Sequence, residues 1–161
     1  MNETEPQRQL NAALGRIASG LFVLTVRQGN AETGMLASWV QQCSFEPPQI
    51  SVAIRKNRPV LTWLTSGALF TINILDDSET DMIVHFGRGF ELNEPAFVGV
   101  EVERSQDNPP IIKDALAFLE CEVVGRCSAG DHEVVIGRVL AGRMLDEGHP
   151  MVHIRKSGAH Y

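Results

Sequence analysis

The residues from 34 to 48 form a strand-like run that constrains the fold more than any other part of the chain. Four polar side chains occupy positions that a buried strand gives to Val, Ile and Leu: Ser38, Gln41, Gln42 and Ser44. Pro47 and Pro48 close the run. Such a strand either faces a ligand or forms a half-exposed edge of a sheet, and the run alone is compatible with both.

Length and composition indicate one globular domain that spans residues 1–161. A chain of 161 residues with 43% hydrophobic content can bury a full core, and it is too short to form two domains of ordinary size. No apolar run approaches the ~20 residues that cross a membrane, and the polar residues 1–9 lack the apolar centre of a signal peptide. We therefore expect a cytoplasmic protein without a membrane partner.

Cysteine usage and net charge limit the compartment and the partners that the chain can have. Cys43, Cys121 and Cys127 form neither a C-x-x-C pair nor a regular disulfide framework, which favours a reducing compartment and argues against zinc. Cys121 shares a predicted strand face with Leu119 and Val123, so we interpret it as a small core residue. The net charge of -6 argues against a nucleic-acid partner.

Hydrophobic periodicity predicts at least seven short strands and three helices. Strands are predicted at residues 21–26, 34–48, 50–55, 70–74, 97–102, 116–125, 134–145 and 151–155. The helices are an amphipathic segment at residues 8–19, one from Pro59 to a cap at Gly67, and one capped by Ser78. Because strands and helices do not alternate regularly, we expect a mainly β protein with peripheral helices, its largely antiparallel sheet curled into a barrel.

A cluster of cations follows the strand at residues 50–55. The sequence Arg55-Lys56-Asn57-Arg58 places three of the 14 cations in four residues, directly before Pro59. Guanidinium groups beside the free N–H groups of a helix start favour a phosphate site. A solvated basic turn is the alternative, and the polar run just upstream favours the phosphate site.

Histidines mark two other candidate positions. Gly130-Asp131-His132 presents a carboxylate and an imidazole at a turn, where His132 is either catalytic or structural and Asp131 could fix its tautomer. The C-terminal run is rich in rings and cations: His149, His153, Arg155, Lys156, His160 and Tyr161. His153 and Arg155 share a predicted strand face and can reach one ligand. No ligand spacing typical of a metal site accompanies these histidines.

Several segments, taken in order, resemble the flavin reductase-like family from about Leu14 to Tyr161. These segments are Gly34-Met35-x-Ala37-Ser38, Ser44-Phe45-Glu46-Pro47-Pro48, Phe70-Thr71-Ile72-Asn73-Ile74-Leu75, Phe97-Val98-Gly99-Val100, Leu119-Glu120-Cys121-Glu122-Val123-Val124, Gly130-Asp131-His132 and Gly137-Arg138-Val139. The sequence around residues 37–42 and at His85-Phe86 is most similar to the flavin reductase modules fused to flavodiiron proteins. The resemblance implies an FMN-binding split β-barrel of Greek-key topology.

The resemblance also implies a cofactor and its site. FMN, with FAD as an alternative, would lie with its ring and ribityl chain along Ala37, Ser38, Trp39, Cys43 and Ser44. Its phosphate would lie at Arg55, Lys56, Asn57 and Arg58. His132 would be a catalytic residue on the nicotinamide side, and His153 and Arg155 would close the site near the flavin. The sequence departs from the family's usual residues at Leu36 and Trp39, and Trp39 could cover one face of the ring.

The implied activity is reduction of FMN by NADH or NADPH, with electrons passed to a partner enzyme or to free flavin. The alternative is a flavoredoxin-like electron-transfer protein that does not oxidise nicotinamide efficiently, which Trp39 crowding the ring would favour. We also expect a homodimer with the flavin near the subunit boundary. Four aromatic residues are the expected contributors to that surface: Trp39, Phe86, Phe90 and Phe97.

Overall fold

The computed structural model describes residues 3–160, in which two α-helices, one short 3₁₀ helix and eleven strands are present. The helices are α1 (Glu5–Gly15), the 3₁₀ helix (Pro59–Thr62) and α2 (Thr80–Gly87). The strands are β1 (Ser19–Gly20), β2 (Phe22–Gln28), β3 (Ala31–Ala37), β4 (Val40–Phe45), β5 (Pro48–Arg55), β6 (Leu69–Ile74), β7 (Val102–Glu103), β8 (Ile111–Ile112), β9 (Ala117–Ala129), β10 (His132–Met144) and β11 (Val152–His153). Tyr161, which the sequence places in the C-terminal run, lies outside the described residues.

Seven strands form one antiparallel sheet in the order β3-β2-β6-β9-β10-β5-β4. The strands β6, β9 and β10 are neighbours in the sheet, and β5, which precedes them in the chain, pairs with the last of them, β10. This placement of the first strand beside the fourth is a Greek-key arrangement. Side chains from β2, β5, β6, β9 and β10 meet in the larger of two cores, which includes Leu24, Val52, Phe70, Val123 and Val135. The sheet therefore curls around its core, and the predicted mainly β, largely antiparallel fold class is confirmed.

The run at residues 34–48 is two strands rather than one. β3 ends at Ala37 and lies at one edge of the sheet, whereas β4 begins at Val40 and lies at the other edge. Only Ser38 and Trp39 join them, so the chain crosses from edge to edge of the curled sheet within two residues. This crossing is a tertiary feature that the extended pattern of the sequence does not reveal.

The helices differ from their predictions in extent and in cap. The helix predicted from Pro59 to Gly67 is only a four-residue 3₁₀ helix, and Arg126 donates to the carbonyls of Leu61 within it and of Leu64 just after it. The predicted N-cap Ser78 is not the cap of α2, because that helix begins after Glu79. Among the described residues, no helix is both long enough and apolar enough to cross a lipid bilayer.

The apolar face of α1 does not pack on the barrel. Asn11 and Gly15 are its buried residues, whereas Leu10, Leu14 and the following Ile17 are exposed. The C-terminal segment fills the space against α1: the amide of Arg155 donates to the carbonyl of Gly15 at 3.2 Å. Phe86, Phe90 and Phe97 lie in a second core with α2 and are at most 9% exposed, so they are not available for a subunit surface. That part of the predicted surface is wrong.

Candidate functional site

Three of the predicted site residues, Trp39, Arg55 and His132, meet at one end of β5 and β10. Val52 and Ile54 point into the core, so the alternation of the strand places Ala53 and Arg55 outside. The register pairs Arg55 with His132, and the amide of Ala53 donates to the carbonyl of Trp39 at 3.0 Å. Trp39, Arg55 and His132 therefore share one region at the end of these strands.

A ring contact joins Trp39 to His132. The centroids of indole and imidazole lie 4.8 Å apart and their planes meet at 41°. The guanidinium carbon of Arg155 lies 5.0 Å from the Trp39 ring, as a cation over an aromatic face. His132 is only 14% exposed in its side chain, so the indole and the strand hold the imidazole in one place.

Asp131 connects this ring cluster to the cation cluster. Nδ1 of His132 donates to Oδ1 of Asp131 at 2.7 Å, and Nε of Arg55 lies 3.8 Å from Oδ2. The hydrogen bond from His132 lowers the pKa of Asp131, and the charges of His132 and Arg55 lower it further. Asp131 is therefore ionised at neutral pH and fixes a proton on Nδ1. The contact is possible because Asp131 lies in the turn, where Gly130 takes φ of +60°.

An arginine-lined cleft of about 470 Å³ begins at Arg55. Arg55, Asn57 and Arg58 form one wall, and residues 88–91 with Glu94 form the other. Lys56 does not line the cleft, because its ammonium donates to Oγ of Ser128 at 2.6 Å. Among residues 3–160, no carboxylate lies within ion-pair distance of Arg58 or Arg88, so both guanidinium groups are available to an anion.

The remaining predicted residues lie at different depths along the sheet. Ala37 and Ser38 are buried where the chain crosses from β3 to β4. Cys43 is exposed and Ser44 half-buried in β4, where Ser44 pairs with Gln49. Gln49 precedes Arg55 by six residues, or about 20 Å of strand, so only an extended ligand can reach both. His153 is half-buried and pairs with Ser19, next to the segment that carries Arg155.

Arg88 and Phe90 line the cleft, and the sequence analysis did not predict either of them. Arg88 is a single arginine between two glycines, so no cluster of cations marks it. Its guanidinium carbon lies 4.0 Å from the centroid of the Phe90 ring. Gly89 has φ of +76°, and a Cβ there would lie 2.6 Å from Nη1 of Arg58, so the glycine lets the two walls approach.

His85 is not a surface histidine of α2. It is half-buried at the end of α2, its Nε2 lies 2.7 Å from the carbonyl oxygen of Ala96, and its ring lies 5.2 Å from that of Phe90. His85 therefore anchors the loop at residues 88–96 that forms the second wall of the cleft. Within residues 3–160, no group of three or more His, Cys, Asp or Glu side chains is placed to hold a metal ion.

Comparison with known proteins identifies related sequences over nearly the whole chain. The family described as "Flavin reductase like domain" matches residues 14–160. Diflavin flavoprotein A 1 of Synechocystis sp. is 40% identical over 154 residues, which are 94% of this chain and 27% of that protein. The chain thus spans about a quarter of the length of the curated relatives it matches.

Solved structures share the fold. The flavin reductase PheA2 superimposes with a TM-score of 0.76 at 30% identity, covering 89% of this chain and 90% of that one. The NADH:FAD oxidoreductase SgcE6 of Streptomyces globisporus superimposes with a TM-score of 0.83 at 24% identity, covering 95% of this chain and 92% of that one. At 24% identity, the similarity to SgcE6 shows a shared fold and nothing more.

Proposed function

Because the chain belongs to the flavin reductase-like domain family, we propose that it binds a flavin nucleotide and reduces it with NADH or NADPH. The observation that supports this proposal most is the double contact of Asp131. One carboxylate touches His132 at 2.7 Å and approaches Arg55 at 3.8 Å, so a ring site and an anion site adjoin. A flavin nucleotide is a ring and a phosphate joined by a short chain.

The residues of the cleft fit a phosphate ester. Arg55 and Arg58 line the same wall, and Asn57 adds an amide beside them. Charge-assisted hydrogen bonds from guanidinium groups are the strongest that a side chain offers to phosphate. Lys56, which donates to Ser128, is assigned to positioning the turn rather than to the phosphate.

The adjoining ring cluster of Trp39 and His132 fits the flavin ring. Ala37 and Ser38 are small, buried residues that lead into Trp39, and Trp39 with His132 bounds the space that we assign to the ring. Cys43 and Ser44 would reach the more distant part of the flavin. His153 and Arg155 would close the site from the C-terminal segment, where Arg155 lies over Trp39.

When bound, the flavin accepts the hydride of the reduced nicotinamide. The chain holds the phosphate with Arg55 and Arg58, orients the ring beside Trp39, and presents His132 toward the nicotinamide. No acid–base triad is needed for hydride transfer. Electrons then pass to a partner enzyme or to free flavin.

The contact between Trp39 and His132 favours a second candidate function. An indole that stays 4.8 Å from the imidazole would limit the room for a nicotinamide. The chain would then be a flavoredoxin-like electron-transfer protein that binds FMN without efficient nicotinamide oxidation. The two functions differ in the rate of flavin reduction, and not in flavin binding.

We also propose a homodimer whose interface includes the exposed face of α1. Leu10 and Ile17 are 52% and 65% exposed, and Val152 and Ile154 lie on β11 and just after it, next to β1. This patch adjoins the ring end of the site, because Arg155 follows Ile154 directly. A second copy would bury the patch and exclude water from the flavin. The exposed Cys43 and Cys127 fit a reducing compartment, and we propose the cytoplasm.

Flavin binding is the first test of this function. Purified protein is mixed with FMN, passed through a desalting column and examined by absorbance. We expect the oxidised flavin spectrum to travel with the protein in about equal molar amounts. A colourless protein that also fails to bind FMN in calorimetry would contradict both candidate functions.

A further inference from the structure

Thr33 is a polar residue of β3 whose side chain lies inside the barrel. It pairs with Val26 of β2, and paired residues of neighbouring strands share a face of the sheet, so both side chains point inward. Thr33 is only 2% exposed, and its Oγ1 has no hydrogen-bond partner in the part of the chain that the structure describes. Because a buried hydroxyl without a partner is costly, this oxygen calls for a small polar ligand.

A cavity of about 10 Å³ lies beside Thr33. Its lining includes Arg58, and Gly89 and Phe90 contribute to it from the loop at residues 88–96. A space of roughly 10–15 Å³ holds one water molecule when at least two polar groups face it. The guanidinium of Arg58 can donate a hydrogen bond to such a water, and the water can donate one to Oγ1 of Thr33. The lining of the cavity therefore fits a single water molecule.

Arg58 borders both this cavity and the arginine-lined cleft. Its backbone is fixed, because its amide donates to the carbonyl of Arg55 at 2.9 Å and its carbonyl accepts from the amide of Leu61 at 3.2 Å. Its long side chain has no carboxylate partner within residues 3–160. A Cβ on Gly89 would lie 2.6 Å from Nη1, so the backbone limits the guanidinium sterically. A water in the cavity would add a polar contact to that steric one.

We propose that Thr33 positions the phosphate-binding Arg58 through one water molecule bound in this cavity. The inference rests on the proposed function, because it concerns an arginine that we assign to the flavin phosphate. The water accepts from the Arg58 guanidinium and donates to Oγ1 of Thr33, which orients the guanidinium before the phosphate arrives. An oriented donor loses less conformational freedom when the phosphate binds, so affinity for FMN rises. Thr33 is thus a positioning residue that acts through Arg58.

Calorimetric titration of the full chain carrying Thr33→Val, with FMN and with riboflavin, tests the proposal. Valine keeps the shape of threonine and removes the hydroxyl, so the water loses one of its two partners. We expect FMN affinity to fall about threefold to tenfold, the loss that corresponds to one hydrogen bond, and riboflavin affinity to stay the same. Thr33→Ser, which restores the hydroxyl, should bind FMN nearly as tightly as the wild type.

The matched control is Thr25→Val. Thr25 is buried on the neighbouring strand β2, and its hydroxyl donates to the carbonyl of Pro110 at 2.6 Å, away from the cavity. Its substitution should lower the melting temperature and leave the ratio of FMN to riboflavin affinity unchanged. A fall of that ratio in Thr25→Val as large as in Thr33→Val would show a general effect of buried hydroxyls and would overturn the proposal.

A double-mutant cycle tests whether Thr33 acts through Arg58. In an Arg58→Ala background, Thr33→Val should weaken FMN binding no further. Additive losses would give Thr33 a role independent of Arg58, and equal losses of FMN and riboflavin in Thr33→Val would make it a structural residue; either result would overturn the proposal, as would an unchanged FMN affinity. A wild type that binds neither FMN nor riboflavin would contradict the proposed function itself.

Discussion

The imidazole of His132 lies 4.8 Å from the indole of Trp39, although 92 residues of sequence separate them. The contact arises because β4 and β10 both pair with β5, which brings the start of one strand beside the start of the other. Asp131 holds the far side of the same imidazole through Nδ1. The ring is thus oriented from two directions, as a group that must face a ligand would be.

We predict that His132→Ala slows the reduction of bound flavin more than it weakens flavin binding. Loss of the imidazole removes a positioned group on the nicotinamide side, and misplacement of reacting groups costs about tenfold to a hundredfold in rate. Anaerobic stopped-flow reduction by NADH measures the rate, and calorimetry measures FMN affinity. His149→Ala is the control, because His149 is an exposed histidine outside the site. An unchanged rate with a lower melting temperature would make His132 a structural residue.

We predict that the double variant Arg55→Ala/Arg58→Ala binds FMN at least tenfold more weakly than the wild type. Each arginine contributes charge-assisted hydrogen bonds, worth roughly 1.5–3 kcal/mol apiece. Riboflavin, which lacks the phosphate, should bind with nearly the same affinity to both proteins. Arg8→Ala controls for loss of a surface arginine, since Arg8 pairs with Glu5 on α1. Equal losses for FMN and riboflavin would place the phosphate elsewhere.

We predict that the protein is a dimer in solution and that Leu10→Glu/Ile17→Glu converts it to monomers. Charges at Leu10 on α1 and at Ile17 just after it would have to be desolvated in a two-fold interface. Light scattering over a dilution series should give about twice the 17.7 kDa chain mass for the wild type. Val84→Glu is the control, because Val84 is an exposed apolar residue of α2. A wild type that is monomeric and retains flavin would refute the interface.

We predict that two of the three cysteines react with a thiol reagent in the folded protein. Cys43 and Cys127 are exposed, whereas burial raises the pKa of Cys121 to about 12. The third thiol should react only after denaturation. Since the folded pKa of Cys121 exceeds its unfolded value, its stabilising contribution is complete below about pH 9 and is lost as the pH rises toward about 12. Three reactive thiols in the native protein would contradict the buried position.

Most of the strands could be predicted from sequence because alternation is local, but the strand predicted at residues 97–102 is wrong, since only Val102–Glu103 form a strand there. Ile50, Val52 and Ile54 alternate with polar or small residues, and β5 indeed buries those three side chains. The hairpin of β9 and β10 was predicted with shorter strands, because Arg126 and Cys127 at its exposed end interrupt the apolar pattern. The amphipathic helix was also predicted, but its apolar face is exposed, which periodicity cannot distinguish from a buried face.

The second wall of the cleft could not be predicted because its residues act through tertiary contacts. Arg88 approaches Arg58 only after the loop at residues 88–96 folds back from α2, anchored by His85 on Ala96. Phe90 is buried, and in the sequence a buried Phe cannot be told apart from any other core residue. The two glycines that flank Arg88 are the one sequence feature that indicates this wall, because Gly89 takes a positive φ and lies against the guanidinium of Arg58.

Anaerobic mixing of the flavin-loaded protein with NADH, and separately with NADPH, tests the central claim most directly. The absorbance of oxidised flavin is followed in time and compared with that of free FMN mixed with the same nucleotide. We predict that one of the two nucleotides bleaches the bound flavin much faster than free FMN is bleached. Bound flavin that is reduced by neither nucleotide faster than free FMN would contradict the claim and leave the electron-transfer alternative.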